Sequence, residues 1–368
     1  MGATHAVLRE ETFVTNARRT RFLRAGFLAI GAVLAFTALA AAGAPPAKPR
    51  KKPVGPYGRA VMAVAVDPSA PGTIYAGTGG GAFRSADGGA TWSALDPGLS
   101  GMSVGALAVD RSAPTTVWVG TGSGIFKKTP DGIRRMALET EMGGLFVGAL
   151  AIDPSSPATI YAGTGSGIFK SRDAGVTWAE AAHGLTNQFV TTLLIDPSAP
   201  QTLYAATNGG GVFKSSDAGG TWKAVNSGLR STIVLAMAID PDHPARLYAQ
   251  TVEGVFKTAD GGASWTPTNK GLASRFTLAL AVHPTSCATL YAGTASGVFK
   301  SSDGGATWSS ASEGLTNLFV TSIAIDPQSP ETLYAGTDGG LFKSTTGGLS
   351  WSELKRNNDA SRARAGNE

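Results

Sequence analysis

The chain has 368 residues, 42% of them hydrophobic and 15% charged, with 49 Gly, 20 Pro, a single Cys and a formal charge of +5. One cysteine excludes a disulfide scaffold, and the apolar fraction excludes a mainly disordered chain. The positive charge sits at the ends, +7 over residues 1–58 and +2 over 355–368, so the body between them, at −4, has no basic stripe for phosphates and no nucleic-acid partner is expected.

Arg18, Arg19, Arg21 and Arg24 precede an uncharged stretch from Ala25 to Ala44. Residues 1–44 therefore read as an export signal, with small residues suited to cleavage at Ala38-Leu39-Ala40 and Ala40-Ala41-Ala42, or as a membrane anchor if left uncut. Arg18-Arg19-Thr20-Arg21-Phe22-Leu23-Arg24 carries a weak twin-arginine pattern. The expected location is outside the cytoplasm, with the membrane touched only through this segment. Residues 45–58, with five prolines and four cations, read as an extended linker.

From Arg59 to Leu354 one pattern recurs. An apolar run ends in Ile-Asp-Pro, followed by Thr-Leu-Tyr-Ala-Gly-Thr, Gly-x-Phe-Lys-Ser and Asp-x-Gly-x-Thr-Trp. The Tyr position is held by Tyr75, Trp118, Tyr161, Tyr204, Tyr248, Tyr291 and Tyr334, at steps of 43 residues with a single step of 44. In the last copy, Phe319 to Ile325 alternates as a strand, Asp326 to Pro330 is a turn cluster, Thr332 to Thr337 and Leu341 to Lys343 are short strands, and a fourth begins at Trp351. Four short strands per copy with no helical period predict an all-β, seven-bladed β-propeller over 59–354, followed by a polar tail over 355–368. The rivals are a β-solenoid, whose rungs would be shorter, and a pair of sandwiches, which would not repeat. Every copy starts with its innermost strand, so ring closure is expected from packing between the first and last blades rather than from a shared sheet.

Ser85 to Trp92 fits Ser-x-Asp-x-Gly-x-Thr-Trp, as do Ser171 to Trp178, Ser215 to Trp222 and Ser301 to Trp308, with Thr258 to Trp265 a near variant. These motifs resemble the Asp-box, or BNR, repeat of sialidase-like propellers, a superfamily that includes sialidases, xyloglucanases, sortilin and a photosystem II assembly factor. In this motif Asp87, Asp173, Asp217, Asp260 and Asp303 are expected to accept hydrogen bonds from amides two or three residues on, and the Trp to pack between blades. Five equivalent carboxylates around a ring cannot converge on one substrate. The second copy has lost the motif and carries Lys127, Lys128, Arg134 and Arg135, the one dense basic cluster of the body; decay of a redundant turn competes with a partner surface as the explanation.

Function is less legible. The arginine triad and Arg-Ile-Pro motif of sialidases and the cysteine-rich extension of sortilin have no counterpart here. Resemblance to xyloglucanases implies a catalytic carboxylate at Asp338, within Tyr334-Ala335-Gly336-Thr337-Asp338-Gly339-Gly340, with Glu253 the other acid at an equivalent position, two blades away. A glycosidase needs its two carboxyls about 5–10 Å apart. The competing reading makes both plain polar turn residues. The same face is expected to offer Arg230, Lys270 and Arg275, the amides Asn187, Gln188 and Asn317, and Phe189, Phe276 and Phe319 as ligand contacts, unless the phenylalanines merely begin buried strands. His183, His243 and His283 have no neighbour at metal-ligand spacing in sequence, so no metal or cofactor is expected. The chain is expected to be a monomeric, exported, non-catalytic module that recognises glycan or protein, with a xyloglucanase-like glycoside hydrolase as the alternative.

Overall fold

The computed structural model describes residues 55–136 and 146–355; the predicted signal or anchor at 1–44, nearly all of the linker and the tail beyond Lys355 lie outside these residues. The fold is a seven-bladed β-propeller. Seven four-stranded sheets follow one another, each with its strands in chain order and antiparallel. Blade 1 comprises Val61–Val66, Ile74–Thr78, Gly81–Ser85 and Ser93–Ala94, and blade 7 comprises Val320–Ile325, Leu333–Thr337, Gly340–Ser344 and Ser352–Glu353. Among the described residues the helical structure is one 3₁₀ turn, Pro97–Leu99. The outermost strands begin one residue after the Trp and are two residues long in every blade except the second, shorter than the motif predicts.

Two kinds of turn cap the blades. On one face, called the upper face here, the second and third strands join through two residues, or through three in blade 4, where Asn208, Gly209 and Gly210 account for the 44-residue step. A buried Thr ends each second strand and closes this turn, as where the Thr78 hydroxyl donates to Gly81 O and accepts from Gly80 N. On the opposite face Asp67 Oδ1 accepts from the amides of Ser69 and Ala70, an arrangement repeated at Asp110, Asp153, Asp196, Asp240 and Asp326.

The Asp-box turns lie on that same opposite face. Ser85 Oγ donates to Asp87 Oδ1 and accepts from Gly89 N, while Thr91 donates its amide to Oδ1 at 2.8 Å and its hydroxyl to Oδ2 at 2.5 Å. The partner is thus four residues on, not two or three as the motif suggests. The same bonds recur at Asp173, Asp217, Asp260 and Asp303.

Each turn also presents a carbonyl to the preceding blade. Lys127, Lys170, Lys214, Lys257, Lys300 and Lys343 donate to Ala174, Ala218, Gly261, Gly304, Gly347 and Gly88 respectively. All six acceptors have positive φ, which turns the carbonyl outward; Ala174 and Ala218 adopt it at φ 56° and 57° despite their Cβ. Each Lys Nζ stands 5.0–5.7 Å from the ring centroid of its own blade's Tyr or Trp, so one cation serves a π face and a neighbouring blade at once.

The apolar cores lie between blades. Tyr161 of blade 3 packs with Leu193, Leu203, Phe213 and Trp222 of blade 4, and six further clusters repeat this around the ring. The Trp stitches the same seam: the indoles of Trp222, Trp265, Trp308 and Trp351 donate to carbonyls of the preceding blade, whereas Trp92 and Trp178 donate within their own turns. Closure relies on the same contacts, as expected. Val61, Ile74 and Trp92 share a core with Tyr334 and Leu341, Thr321 donates to Val61 O, and Lys343 reaches Gly88 O.

Two predictions follow from these contacts. Because side chains alone join blades 7 and 1, their amides should exchange faster than those of blades 4 and 5, and Lys343→Met should accelerate exchange there at a cost of about 1 kcal/mol; uniform exchange around the ring would contradict this. Hydrogen bonds from Thr or Ser and from local amides lower the five Asp-box carboxyls to about 2. A folded pKa below the unfolded value of about 4 stabilises the folded state above pH ~4, and the contribution is lost as pH falls from ~4 towards ~2. Melting temperature between pH 5 and 2 should therefore fall less steeply in Asp303→Asn than in the parent, whereas parallel curves would remove these groups as the cause.

Candidate functional site

The upper face is built from the short turns between second and third strands and from the connectors between blades. In blades 2, 3, 4, 6 and 7 the residue before the first strand accepts, through its carbonyl, an amide of the following turn, as where Asn208 donates to Phe189 O, Ala295 to Phe276 O and Asp338 to Phe319 O. Phe189, Phe276 and Phe319 stand one position before the buried first-strand residues Val190, Thr277 and Val320 and are themselves half-buried. Phe276 and Phe319 meet at 6.5 Å between centroids, tilted by 42°. Phe189 stands apart from that pair, over Gly165 of blade 3.

Among the predicted amides, Asn187 and Asn317 use Oδ1 to accept the amides of Phe189 and Phe319, so they position the aromatic residues, and Gln188 is exposed. The Asn317 amide nitrogen lies 2.7 Å from where a Cβ on Gly339 would stand, so glycine there lets the connector seat on the turn beside Asp338. Arg230 and Arg275 are exposed on their connectors. Lys270 is exposed as well, and its carbonyl accepts the Trp308 amide, which assigns its backbone to the seam between blades 5 and 6. Asp338 and Glu253 are exposed tips of the turns in blades 7 and 5, separated by the Ala295-Ser296 turn of blade 6. Neither forms an ion pair among the described residues.

The basic cluster of blade 2 disperses in the fold. A two-residue hairpin from Thr129 to Gly132 replaces the Asp-box turn, Lys127 serves the seam to blade 3, Lys128 pairs with Asp96 at 3.5 Å, and Arg135 donates to Ser123 O. Blade 1, which faces this altered blade, carries exposed Arg84 where six blades have the seam lysine. A groove of about 560 Å³ opens elsewhere, on the flank between blades 3 and 4, lined by Lys170, Glu180, His183 and Ala218, and the predicted ligand contacts do not line it.

One feature of the upper face escaped the sequence reading. The position before the terminal Thr of the second strand is Gly or Ala in six blades because a Cβ there meets the next blade; at Gly77, Gly163 and Gly293 it would come within 2.6–2.7 Å of Val104, Val190 or Val320 Cγ1. Blade 5 places Gln250 there, and the facing residue of blade 6 is Thr277 instead of Val. Both are fully buried, and Gln250 Oε1 and Thr277 Oγ1 have no hydrogen-bond partner, while Gln250 Nε2 donates to Thr251 O and Arg275 O. Two deviations from the repeat in facing positions were the available signal. The sector from blade 5 to blade 7 thus carries Gln250, Glu253, Arg275, Phe276, Asn317, Phe319 and Asp338; its phenylalanines recur as Phe146 and Phe189 on other connectors, whereas its two acids stand where other blades have Gly, Ser, Ala or Asn.

Comparison with known proteins places this geometry. The family profile Sortilin-Vps10 (Sortilin, neurotensin receptor 3) matches residues 166–283. No curated protein matches the chain. The GH74 xyloglucanase from Xanthomonas campestris superposes with a TM-score of 0.69 at 21% identity over 82% of this chain and 55% of that one. The GH74 enzyme of Niastella koreensis gives 0.68 at 22%, over 81% and 54%. YCF48 bound to D1 peptide gives 0.59 at 16%, over 79% of this chain and 93% of that one. The chain therefore spans about half the length of the xyloglucanase-type structures and nearly all of the YCF48 chain. At these identities the likeness is one of fold: a seven-bladed propeller of the Asp-box kind.

A buried hydroxyl without a partner is costly, so Thr277→Val, which keeps the shape and supplies the residue the six other blades use, should raise stability by about 1 kcal/mol. Chemical denaturation measures this; an unchanged or lower midpoint would show that the hydroxyl is satisfied in solution.

Proposed function

We propose that this protein is an exported, non-catalytic recognition module that holds an extended segment of a partner protein against the blade 5–7 sector of the upper face. The observation that carries the reading is the half-exposed ring pair of Phe276 and Phe319, positioned by Asn317 and flanked by exposed Arg275 and Leu318. Two rings held at a fixed separation supply apolar contact at small entropic cost, and arginine adds a planar donor for carboxylates or backbone carbonyls. The likeness to YCF48 supports this choice, since it extends over almost that whole chain and that structure holds a peptide. Export rests on the apolar segment Ala25 to Ala44 behind its arginines.

A glycoside hydrolase is the second reading, favoured by the turn Tyr334 to Gly340 with Asp338 at its tip. It is opposed by two-residue turns that build no walls around a sugar chain, and by the intervening blade between Asp338 and Glu253.

One set of measurements separates the two. The purified chain is presented with an array of overlapping peptides and, separately, with soluble xyloglucan and β-glucans. Saturable peptide binding that weakens roughly five- to tenfold in Phe276→Ala and Phe319→Ala, and in Arg275→Glu for acidic peptides, is the expected result. Release of reducing ends that disappears in Asp338→Asn would replace this reading with the hydrolase.

A further inference from the structure

The face carrying the Asp-Pro turns is the most regular part of the molecule. In five of its seven copies the turn is Asp, three residues and Pro, followed two positions later by Thr, as in Asp67-Pro68-Ser69-Ala70-Pro71-Gly72-Thr73. The two exceptions are adjacent. Blade 5 places His243 where other blades have Ala or Ser, and Arg246 where all others have Thr. Blade 6 begins its turn with His283 in place of Asp and has Cys287 in place of Pro. The loss of that Pro has a structural consequence: the second strand of blade 6 extends back to Ser286, and His283 pairs with Ser286 across a tight hairpin. The extended strand carries Cys287 to the boundary with blade 5.

There the deviating side chains converge. One carboxylate oxygen of Asp240, one ring nitrogen of His243 and Cys287 Sγ all lie within 4.8 Å of one another. The carboxylate is fully buried, Oδ1 is spent on the amides of Asp242 and His243, and Oδ2 faces the cluster. His243 Nδ1 stands 3.6 Å from Oδ2 on a side chain that is 60% exposed and free to rotate. The other member is Arg246, whose Nη1 donates to Oδ2 at 2.8 Å.

We propose that Asp240, His243 and Cys287 form a binding site for a borderline transition-metal ion, with Zn(II) the best match. One carboxylate oxygen, one imidazole nitrogen and one thiolate sulfur make a three-ligand set of the type zinc accepts, with a fourth position left open to solvent. Bonds of about 2.0–2.3 Å need the three ligand atoms closer together than they stand, and rotation of the exposed His243 supplies that movement. Binding displaces Arg246 from Oδ2, and the thiol proton passes to solvent as the sulfur becomes a ligand. Zn(II), the carboxylate and the thiolate sum to zero, and the displaced guanidinium beside them brings the occupied site to a net charge of +1. The position is separate from the ring pair of the upper face, and its test is independent of peptide binding.

Co(II) is the probe, because a sulfur ligand produces a charge-transfer band and a tetrahedral site produces intense visible bands. The full chain, with its thiol shown to be reduced by stoichiometric reaction with a thiol reagent, is titrated with Co(II) and then with competing Zn(II). One equivalent of Co(II) should bind with a sulfur band that Zn(II) abolishes. Cys287→Ser should remove the band, His243→Ala should weaken binding at least tenfold, and Arg246→Ala should tighten it by freeing Oδ2. Absence of the band in both the parent and Arg246→Ala, or its persistence in Cys287→Ser, overturns the proposal.

Discussion

No blade of this propeller contains its own core. The large apolar side chains of each sheet, Tyr161 or Phe213 for example, are buried only by the next sheet, so a blade in isolation would leave its payload of buried aromatic surface in water. Ring closure is therefore a condition of stability for every blade. It also explains why the innermost and second strands bear Val, Ala and Gly at the contact points: where Gly163 meets Val190, any Cβ would force neighbouring sheets apart.

The Asp-box acquires its meaning from the same constraint. Its aspartate is an exposed residue that organises a turn, and the product of that organisation is a single outward carbonyl, on which the preceding blade sets its Lys and, at Tyr161, Tyr248 and Tyr291, its phenol as well. The five carboxylates thus organise the turns on which the seams are built. Blade 7, with Thr346 in place of the Asp, keeps the turn and its Gly347 carbonyl, whereas blade 2 has lost the turn altogether and the residue that would dock on it, Arg84, departs from the seam lysine as well. Burial against the neighbouring blade lifts the phenols of Tyr161, Tyr248, Tyr291 and Tyr334 to about 12, consistent with rings that stay neutral within the seam.

Where seams are uniform, asymmetry is informative. Blades 5 and 6 depart from the repeat on both faces at once: Gln250 against Thr277 above, His243, Arg246 and Cys287 below. A buried amide oxygen without a partner and a lost turn proline are both unfavourable for folding, and a repeat under purely structural demands has better residues available in the adjacent copies. Both proposed sites lie where the chain retains such costs.

Period, strand number, blade count and the absence of a shared closing sheet were legible in the sequence, because each depends on local rules: apolar alternation, glycine and proline at turns, and a motif that recurs every 43 residues. The position of the extra residue in blade 4 was readable for the same reason. The six seam lysines were visible as a repeated Phe-Lys but carried no meaning until the fold set each beneath a carbonyl 47 or 48 residues further along, or 255 residues back for Lys343. Asn187 and Asn317 looked like ligand contacts, and only the connector geometry turned them into supports for Phe189 and Phe319. His243 likewise has no ligand neighbour in sequence, since Cys287 belongs to the next blade and arrives through an extended strand. Local preference determines what each blade is; which side chains meet is decided between blades, because only burial against a neighbour selects among the positions that local preference leaves equivalent.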